Sequence, residues 1–408
     1  MTPESLADGA SPPACLLLAD GGWGSVLHAM RSLDALGARV MVASSGRGSE
    51  VFARSRVRPD TVDFGLHGGP FLERALTWAR EMAPTSQIVV FPFSDRMADT
   101  MHSARGLLKD PFRPVLAPEF ALDRLLNKAL SLSCAEDAGL SVPQWVEVRS
   151  LQDLGMVRSL PPPLIVKPSS WATAGGHPFK LSVHDDSAEA IEFCRTALLS
   201  GAHLIVQQFL SVPADQVEFG IVWASADGSV VDVCTGRKRR QSSDDGGVMA
   251  WGETEELTDL RALAIEFVKK SGFTGPGGIE FIRDSEGLRF IEFNPRLEAI
   301  HFLAAAAGLD TVALAYLDIG GGILPGARSV QFPAAAWIGS AWLSRLRANP
   351  ASIFRFASDR IKFALHPRAT RAVLCWQDPW PSLAVTKLLA KAGFDRLLSR
   401  VDYTRVIL

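Results

Sequence analysis

The chain has 408 residues, enough for two to three domains, and 47% of them are hydrophobic while 21% are charged. Lys and Arg total 42 against 44 for Asp and Glu, so the net charge of -2 argues against nucleic-acid binding as a main role. No extended polar tract of low complexity occurs, which argues against long disordered regions.

Cysteine usage and hydropathy both indicate a soluble cytoplasmic protein. No pair among the five cysteines has the spacing of a metal site or a redox motif. Near the beginning, Glu4 and Asp8 stand where a signal peptide carries basic residues, and the apolar run 15–19 is too short for its hydrophobic region. Asp310, Asp318 and the triplet Gly320–Gly322 interrupt the most hydrophobic later stretch, 302–324, so no membrane span is predicted.

Short apolar runs alternate with helical patterns in the first third of the chain. Residues 15–19, 39–43 and 87–91 predict buried strands, and the period of 26–36 and 71–82 predicts helices between them. This alternation predicts a parallel sheet with helices on both faces.

The turn after the first strand, Asp20-Gly-Gly-Trp-Gly24, invites comparison with a dinucleotide-binding motif. Arg47, just beyond the second strand, would suit the phosphate of NADP, but Leu27 occupies the place of the third glycine. An NADP-linked oxidoreductase therefore stays open as an alternative, and a plain strand-to-helix turn is favoured.

Prolines mark a boundary near residue 118, beyond which the pattern changes. A strong helix is predicted over 120–138, and strands follow at 145–148, 164–167, 179–183, 204–209, 217–224 and 228–234. The last two strands form a hairpin around Asp227-Gly228. This middle region is predicted to be α+β with antiparallel pairing.

The segment 278–296 carries the clearest sign of chemistry. Two short strands flank a turn at 284–287, and alternation places Glu292 and Asn294 on one face, with Glu280 opposite within about a residue. Two carboxylates and an amide oxygen in an apolar hairpin favour a bound cation, and hard oxygen ligands suit Mg²⁺ bridging phosphates. A polar strand face turned to solvent is the alternative interpretation.

Lys167 ends the buried strand 164–167 and is followed by the small and hydroxylic residues 169–176. A buried lysine needs an anion or a path to solvent, and a flexible loop of small residues can surround phosphates with backbone N–H groups. Many lysines reach solvent from strand ends, so this feature alone is weak.

The order strand-Lys-Pro-loop, VQQFL, VEFG, GIEFI and IEFNPR resembles the ATP-grasp superfamily, especially its carboxylate–amine ligases, over roughly residues 15–320. IEFNPRLE and the GIEF about a dozen residues upstream are the most specific elements. The resemblance implies an N-terminal α/β pre-ATP-grasp domain over 1–118, a two-lobed ATP-grasp domain over 119–320 and a small C-terminal accessory domain over 321–408.

The resemblance also implies which residues bind the nucleotide. Lys128 and Lys167 would bind the phosphates of ATP. The hinge Gln207, Gln208 and Leu210 would contact adenine, the last two through backbone groups, and Glu218 would bind the ribose. Two departures stand out: the phosphate loop is poor in glycine, and Gln207 replaces the acidic residue that is common there.

By the same resemblance, Glu280, Glu292 and Asn294 would hold Mg²⁺ (or Mn²⁺), and Arg296 would stabilise a charged intermediate. The implied reaction joins a small-molecule carboxylate to an amine through an acyl phosphate and releases ADP and phosphate. No nucleic-acid partner is expected, and a homodimer stays open. A non-catalytic ATP-binding regulator is a further alternative.

Several charged residues remain without an assignment. The run Arg237–Arg240 could contact substrate or form a solvated strand end, and Asp244 and Asp245 could attract the ammonium of an amino substrate. His177 lies in the predicted phosphate loop, where a bystander role is favoured.

Overall fold

The computed structural model describes residues 12–20, 23–46, 48–170, 179–243, 246–325, 329–348, 352–371 and 373–387. Contacts group the chain into a first unit, Met1–Leu116, Ala250–Thr254 and Arg296–Leu408, and a second unit, Ala117–Met249 and Glu255–Pro295. The three sequence segments divided at 118 and 320 stay a prediction.

The first unit begins with strands and helices in alternation: β1 (Ala14–Ala19), α1 (Trp23–Asp34), β2 (Val40–Ser44), α2 (Ser49–Ala53), β3 (Asp60–Asp63), α3 (Gly68–Met82), β4 (Ile88–Pro92), α4 (Asp95–Ser103) and β5 (Phe112–Pro114). The strands form one sheet in the order β3-β2-β1-β4-β5, and every pairing is parallel. Leu16 and Leu17 enter separate cores on the two faces. The predicted parallel sheet, covered on both faces, is confirmed.

The second unit contains α5 (Glu119–Leu125), α6 (Lys128–Asp137), β6 (Trp145–Val148), α7 (Leu154–Val157), β7 (Leu164–Pro168), β8 (Ser182–His184), α8 (Ser187–Leu199), β9 (Leu204–Gln208), β10 (Val217–Ala224), β11 (Val231–Ser243), β12 (Gly246–Thr254), α9 (Thr258–Ser271), β13 (Gly275–Asp284) and β14 (Gly287–Asn294). The end of β12 is counted with the first unit. Two antiparallel arrangements result, β6-β9-β7-β8 and β14-β13-β10-β11. The antiparallel α+β region predicted from the sequence is therefore present.

One predicted helix in this unit is two helices. The expected helix over 120–138 is divided between α5 and α6, because Asn127 adopts extended backbone and caps α6. An asparagine at this position accepts hydrogen bonds from the first free N–H groups of the following helix.

The first unit is completed by α10 (His301–Ala306), α11 (Thr311–Ile319), β15 (Ala335–Trp337), α12 (Gly339–Ala348), α13 (Ile353–Leu365) and β16 (Ala369–Thr370). β15 pairs with the end of β12 and with β16. Val312 and Tyr316 of α11 join the core that contains Leu17. Within the described ranges, no helix has the length and apolarity that a bilayer crossing requires.

Candidate functional site

The β13–β14 hairpin brings two carboxylates directly opposite each other. Glu280 is the register partner of Glu292, and a β-bulge follows between Glu280 and Phe281. Asn294 pairs with Gly278 and shares the face of Glu292 by the period of two. The pairing predicted from the spacing of this hairpin is the one observed.

Lysine side chains accompany this carboxylate pair. Nζ of Lys238, in β11, lies 2.6 Å from Oε2 of Glu280, and the two side chains are only 6% and 18% exposed. Lys167, in β7, is also buried, and its charge acts on both carboxylates. The residues thus form a partly buried cluster of opposite charges, which differs from the alternative of a polar face turned to solvent.

The charges of the cluster shift its titration. Burial disfavours the ionised form of Glu292. Three lysines, Lys167, Lys128 and Lys238, outweigh that effect and hold the pKa of this carboxyl below its ordinary value. Burial also lowers the pKa of Lys167; Lys128 acts in the same direction and the two carboxylates oppose it. The ionisation of Glu292 and that of Lys167 therefore depend on the charges around them, as in a site that binds a charged ligand.

Lys128 is the first residue of α6, and two sets of hydrogen bonds fix its position. Oδ1 of Asn127 accepts from the backbone N–H groups of Ala129 and Leu130, at 2.9 and 3.2 Å. The backbone N–H of Lys128 donates to the carbonyl oxygen of Ser169, just beyond β7, at 2.7 Å. The start of α6 is thereby tied to the segment that follows Lys167.

The predicted adenine hinge lies at the end of β9. Gln207 is 2% exposed, and its Nε2 has no hydrogen-bond partner among the residues described. The backbone N–H of Gln208 donates to the carbonyl oxygen of Gln144, so a base could use only the carbonyl of Gln208. Leu210 lies two residues beyond the strand, and its N–H makes no hydrogen bond within the described ranges.

Gln207 stands where the sequences that this chain resembles commonly have an acidic residue, and its buried amide nitrogen has no partner among the described residues. A buried amide without a partner carries a free-energy penalty that a ligand can relieve. The oxygen and nitrogen of a side-chain amide can exchange places by a flip, so Gln207 can either donate to a base or accept from its amino group. Its chemistry therefore suits an adenine contact in place of an acidic residue.

Glu218 has different surroundings from those expected of a ribose ligand. Its side chain is fully buried; Nε and one terminal nitrogen of Arg283 lie 2.6 and 2.8 Å from its two oxygens, and Arg237 lies 2.8 Å away. Glu218 is the register partner of Phe281, which places it on the sheet face opposite Glu280. The ribose contact predicted for Glu218 has no support in this geometry.

The basic run Arg237–Arg240 is divided between the two faces of β11. Arg237 contacts Glu218 and Glu255, on the face away from Glu280, whereas Lys238 contacts Glu280. The sequence did not single out Lys238 because the predicted strand ended at 234, and the alternation along 231–243 was therefore not followed.

Arg296 belongs to the first unit and has two carboxylate partners there. Its Nε lies 2.7 Å from Oδ1 of Asp95, and a terminal nitrogen lies 3.5 Å from Glu298. The side chain is 12% exposed. The alternative of a structural arginine paired with Glu298 thus has an observed counterpart, while its contact with a charged intermediate stays a prediction.

Four predictions fall outside the described residues. Most of the predicted phosphate loop, together with His177, lies in 171–178. Arg47, which would suit the phosphate of NADP, and the pair Asp244 and Asp245 are also outside.

The donor set of the hairpin fits a hard divalent cation. Glu280, Glu292 and Asn294 offer two carboxylates and one amide oxygen, the ligand type that Mg²⁺ prefers beside phosphates. The hairpin supplies two carboxylates, and nowhere in the described residues is a group of three or more His, Cys, Asp or Glu side chains arranged to hold a metal.

Comparisons with known proteins give one family-model match and several structures of similar fold. Residues 131–323 match the family model of the ATP-binding domain of the carbamoyl-phosphate synthase L chain. Among solved structures, the biotin carboxylase domain dimer of the 2-oxoglutarate carboxylase of Hydrogenobacter thermophilus, in complex with magnesium ADP and bicarbonate, is 16% identical. The match has a TM-score of 0.64 and covers 80% of this chain and 74% of that chain.

Two further structures are similar over most of their length. Biotin carboxylase from Campylobacter jejuni is 16% identical with a TM-score of 0.62, covering 79% of this chain and 75% of that chain. N5-carboxyaminoimidazole synthetase from Staphylococcus aureus, complexed with ADP, is 13% identical with a TM-score of 0.62, covering 86% and 88%. Comparison with curated protein sequences gives no match. At these identities the likeness shows a shared fold.

Proposed function

We propose that the chain is an ATP-grasp enzyme, an ATP-dependent ligase that joins a carboxylate to an amine through an acyl phosphate. The observation that carries the proposal is the direct pairing of Glu280 with Glu292 beside the buried Lys167 and Lys238. Such a cluster combines oxygen ligands for a cation with cations for phosphates, as phosphoryl transfer requires.

Different residues of the second unit would bind the metal, the phosphates and the base. Glu280, Glu292 and Asn294 would hold Mg²⁺, which when bound neutralises phosphate charge. Lys167 and Lys128 would bind phosphate oxygens, and Gln207, with the backbone of the hinge that follows it, would orient the base. Lys238 would hold the side chain of Glu280 in position through their ion pair.

The proposed reaction has two steps that balance without an enzymic nucleophile. A carboxylate oxygen of the substrate bonds to the γ-phosphorus as the bond to ADP breaks. The nitrogen of an uncharged amine then bonds to the acyl carbon, phosphate leaves with that carboxylate oxygen, and the nitrogen loses a proton to form the amide. Alignment and charge neutralisation are the main contributions of the protein.

Arg296 is proposed to hold the acyl phosphate, and its ion pair with Asp95 offers a structural role instead. Arg296→Lys separates the two, because lysine lacks the bidentate geometry of the guanidinium. A loss of roughly 10²-fold in kcat at unchanged melting temperature supports the catalytic role. Normal kcat with a lowered melting temperature assigns the structural one.

The test is phosphate release across a matrix of carboxylates and amines with ATP and Mg²⁺, with products identified by mass. Bicarbonate belongs in the matrix, because the similar carboxylase domain contains it. ADP and phosphate should form together, and ¹⁸O from the carboxylate should appear in phosphate. AMP as the stoichiometric product would contradict the acyl-phosphate route.

Thermal stabilisation by nucleotides distinguishes the alternatives that the sequence left open. ATP with Mg²⁺ should raise the melting temperature, whereas stabilisation by NADPH alone would favour the oxidoreductase. Stabilisation by ATP without ADP formation across the whole matrix would favour a non-catalytic regulator. A homodimer and a cytoplasmic location remain predictions.

A further inference from the structure

Three arginine side chains line one cleft of the first unit. The cleft has a volume of about 460 Å³, and its lining residues are Ala53, Arg54, Ser55, Arg56, Arg58 and Trp380. The three arginines are exposed, and none of them has a salt bridge or side-chain hydrogen bond with any described residue. The cleft therefore concentrates positive charge on one short segment.

The carboxylates closest in sequence to Arg58 and to Trp380 form ion pairs with arginines outside the cleft. Asp60, two residues after Arg58, forms an ion pair with Arg39 at 2.9 Å. Asp378, two residues before Trp380, is fully buried and forms an ion pair with Arg31 at 3.0 Å. The positive charge of the cleft is thus left for an anion from outside the chain.

The two sides of the cleft are joined by hydrogen bonds. The buried Asp378 accepts from the hydroxyl of Ser55 at 2.6 Å and from the backbone N–H of Arg56 at 2.9 Å. Asp378 also closes a small bridge with Cys375. The arginine segment and the turn that carries Trp380 are consequently held together before any ligand arrives, which reduces the entropy lost on binding.

Backbone strain occurs at the same place. Arg58 has φ of 51°, and it is the one non-glycine residue with positive φ in the part of the chain that the structure describes. A bulky residue in the left-handed region is uncommon, and such strain concentrates at binding sites, where the surroundings impose it. The N–H of Arg58 donates to the carbonyl oxygen of Ser55 at 3.0 Å, which closes the strained turn.

We propose that this cleft binds a small organic phosphate that carries a planar ring. Guanidinium groups donate in pairs to phosphate oxygens, and three of them match a dianion with several acceptor oxygens. The indole of Trp380 is 59% exposed and offers an apolar face against which a planar ring can stack. The site is made of first-unit residues and does not depend on the function proposed above.

Phenyl phosphate is the probe, measured by calorimetry with the full chain in the absence of nucleotide, because ADP is itself a phosphate with a planar ring and would compete for the cleft. We expect saturable binding with one site per chain, tighter than that of inorganic phosphate and weakened by added salt. Absence of saturable binding, or equal affinity for phenyl phosphate and inorganic phosphate, overturns the proposal.

Variants connect the binding to the cleft. Arg56→Gln should weaken phenyl phosphate at least fivefold, and Trp380→Ala should reduce its affinity to that of inorganic phosphate. Arg58→Gly removes a guanidinium and relieves the positive φ, so it should weaken binding equally at an undiminished melting temperature. Arg158→Gln, an exposed arginine of the second unit, is the matched control and should change nothing. Unchanged affinity in Arg56→Gln and Arg58→Gly overturns the proposal.

Discussion

Glu280 and Glu292 face each other across the β13–β14 hairpin, where two like charges destabilise a sheet unless cations compensate them. Lys238 lies 2.6 Å from Glu280, and the buried Lys167 adds a second positive charge. The lysines of the chain therefore offset the two carboxylates, and a metal or a phosphate would bind to a cluster that already contains charges of both signs.

Replacing Glu292 by Gln keeps the shape of the side chain and removes one of the two hairpin carboxylates. We expect kcat for ATP-dependent phosphate release to fall by roughly 10²-fold or more, the scale seen when one preorganised charge partner is lost. Circular dichroism should show an unchanged fold. Glu286→Gln, in the exposed turn of the same hairpin, is the control. Near-normal turnover of Glu292→Gln at ordinary Mg²⁺ would remove Glu292 from the site.

Lys238→Met tests the compensation from the opposite side. Removing this buried cation leaves Glu280 opposite Glu292 without its closest partner, and breaking such a pair costs about 3 kcal/mol of folding free energy. Added Mg²⁺ should restore part of the loss, because it supplies the missing charge, so the stabilisation by Mg²⁺ should exceed that of the wild type.

Denaturant unfolding with and without Mg²⁺ measures this difference. Lys270→Met, which removes an exposed pair with Glu266 at 3.9 Å, should change stability by less than about 1 kcal/mol. A Lys238→Met protein as stable as the wild type, or one that Mg²⁺ stabilises no more than the wild type, would contradict this account.

At the scale of elements, the two faces of β11 make different contacts. Lys238 forms an ion pair with Glu280 on one face, whereas Arg237, the preceding residue, forms an ion pair with the buried Glu218 on the other face. Arg283 of β13 also binds Glu218, so one carboxylate links three neighbouring strands of the second unit. We expect this carboxylate to stabilise the sheet.

Glu218→Gln should lower the free energy of unfolding by about 3 kcal/mol, because Arg237 and Arg283 lose the fully buried carboxylate that they share. The KM for ATP should stay within about twofold of the wild type, since Glu218 lies on the face away from Glu280. Asp259→Asn removes the more exposed carboxylate on Arg283 and should cost less than about 1 kcal/mol. A raised KM at unchanged stability would instead return Glu218 to the ribose.

Features that depend on neighbouring residues could be predicted from the sequence, whereas contacts between residues distant in the sequence could not. The hairpin of Glu280 and Glu292 followed from alternation and a short turn, because both depend on neighbouring residues. The partners of Glu218 did not, because Arg283 is 65 positions away and no local rule relates the two. The helix over 120–138 was extended across Asn127, since the apolar period continues there while the cap interrupts the backbone.

At the scale of the whole molecule, the order of the sequence does not follow the grouping of its residues. Residues from Arg296 onward belong with the first 116, and α11 contributes to the same core as β1 and α1. The apolar period of a helix shows that one face is buried, but it contains no information about which core receives that face. The separate C-terminal domain over 321–408 was implied by the resemblance, and it stays a prediction.

Two histidines of the first unit pack against each other, His301 fully buried and His28 partly buried. The rings of His28 and His301 are 4.9 Å apart in an edge-to-face arrangement. Nε2 of His301 lies 3.1 Å from the carbonyl oxygen of Ser25, which only accepts, so Nε2 holds the proton and Nδ1, without a partner, does not. Burial, with the charge of His28 adding to it, lowers the pKa of His301 to about 3.

This shift makes the stability of the protein depend on pH in a defined direction. Between about pH 6.5 and 3 the unfolded chain binds a proton at His301 that the folded chain does not, so stability falls as the pH falls. At 1.36 kcal/mol per pH unit, this group should remove about 2 kcal/mol of stability between pH 7 and 5.

His301→Gln retains an N–H donor for the carbonyl oxygen of Ser25 and does not titrate, so the stability of this variant should fall less steeply over that range. His67→Gln, at an exposed position, should keep the slope of the wild type. Denaturant unfolding at each pH measures the three slopes, and equal slopes for His301→Gln and the wild type would show that His301 takes up its proton in the folded state as readily as in the unfolded one.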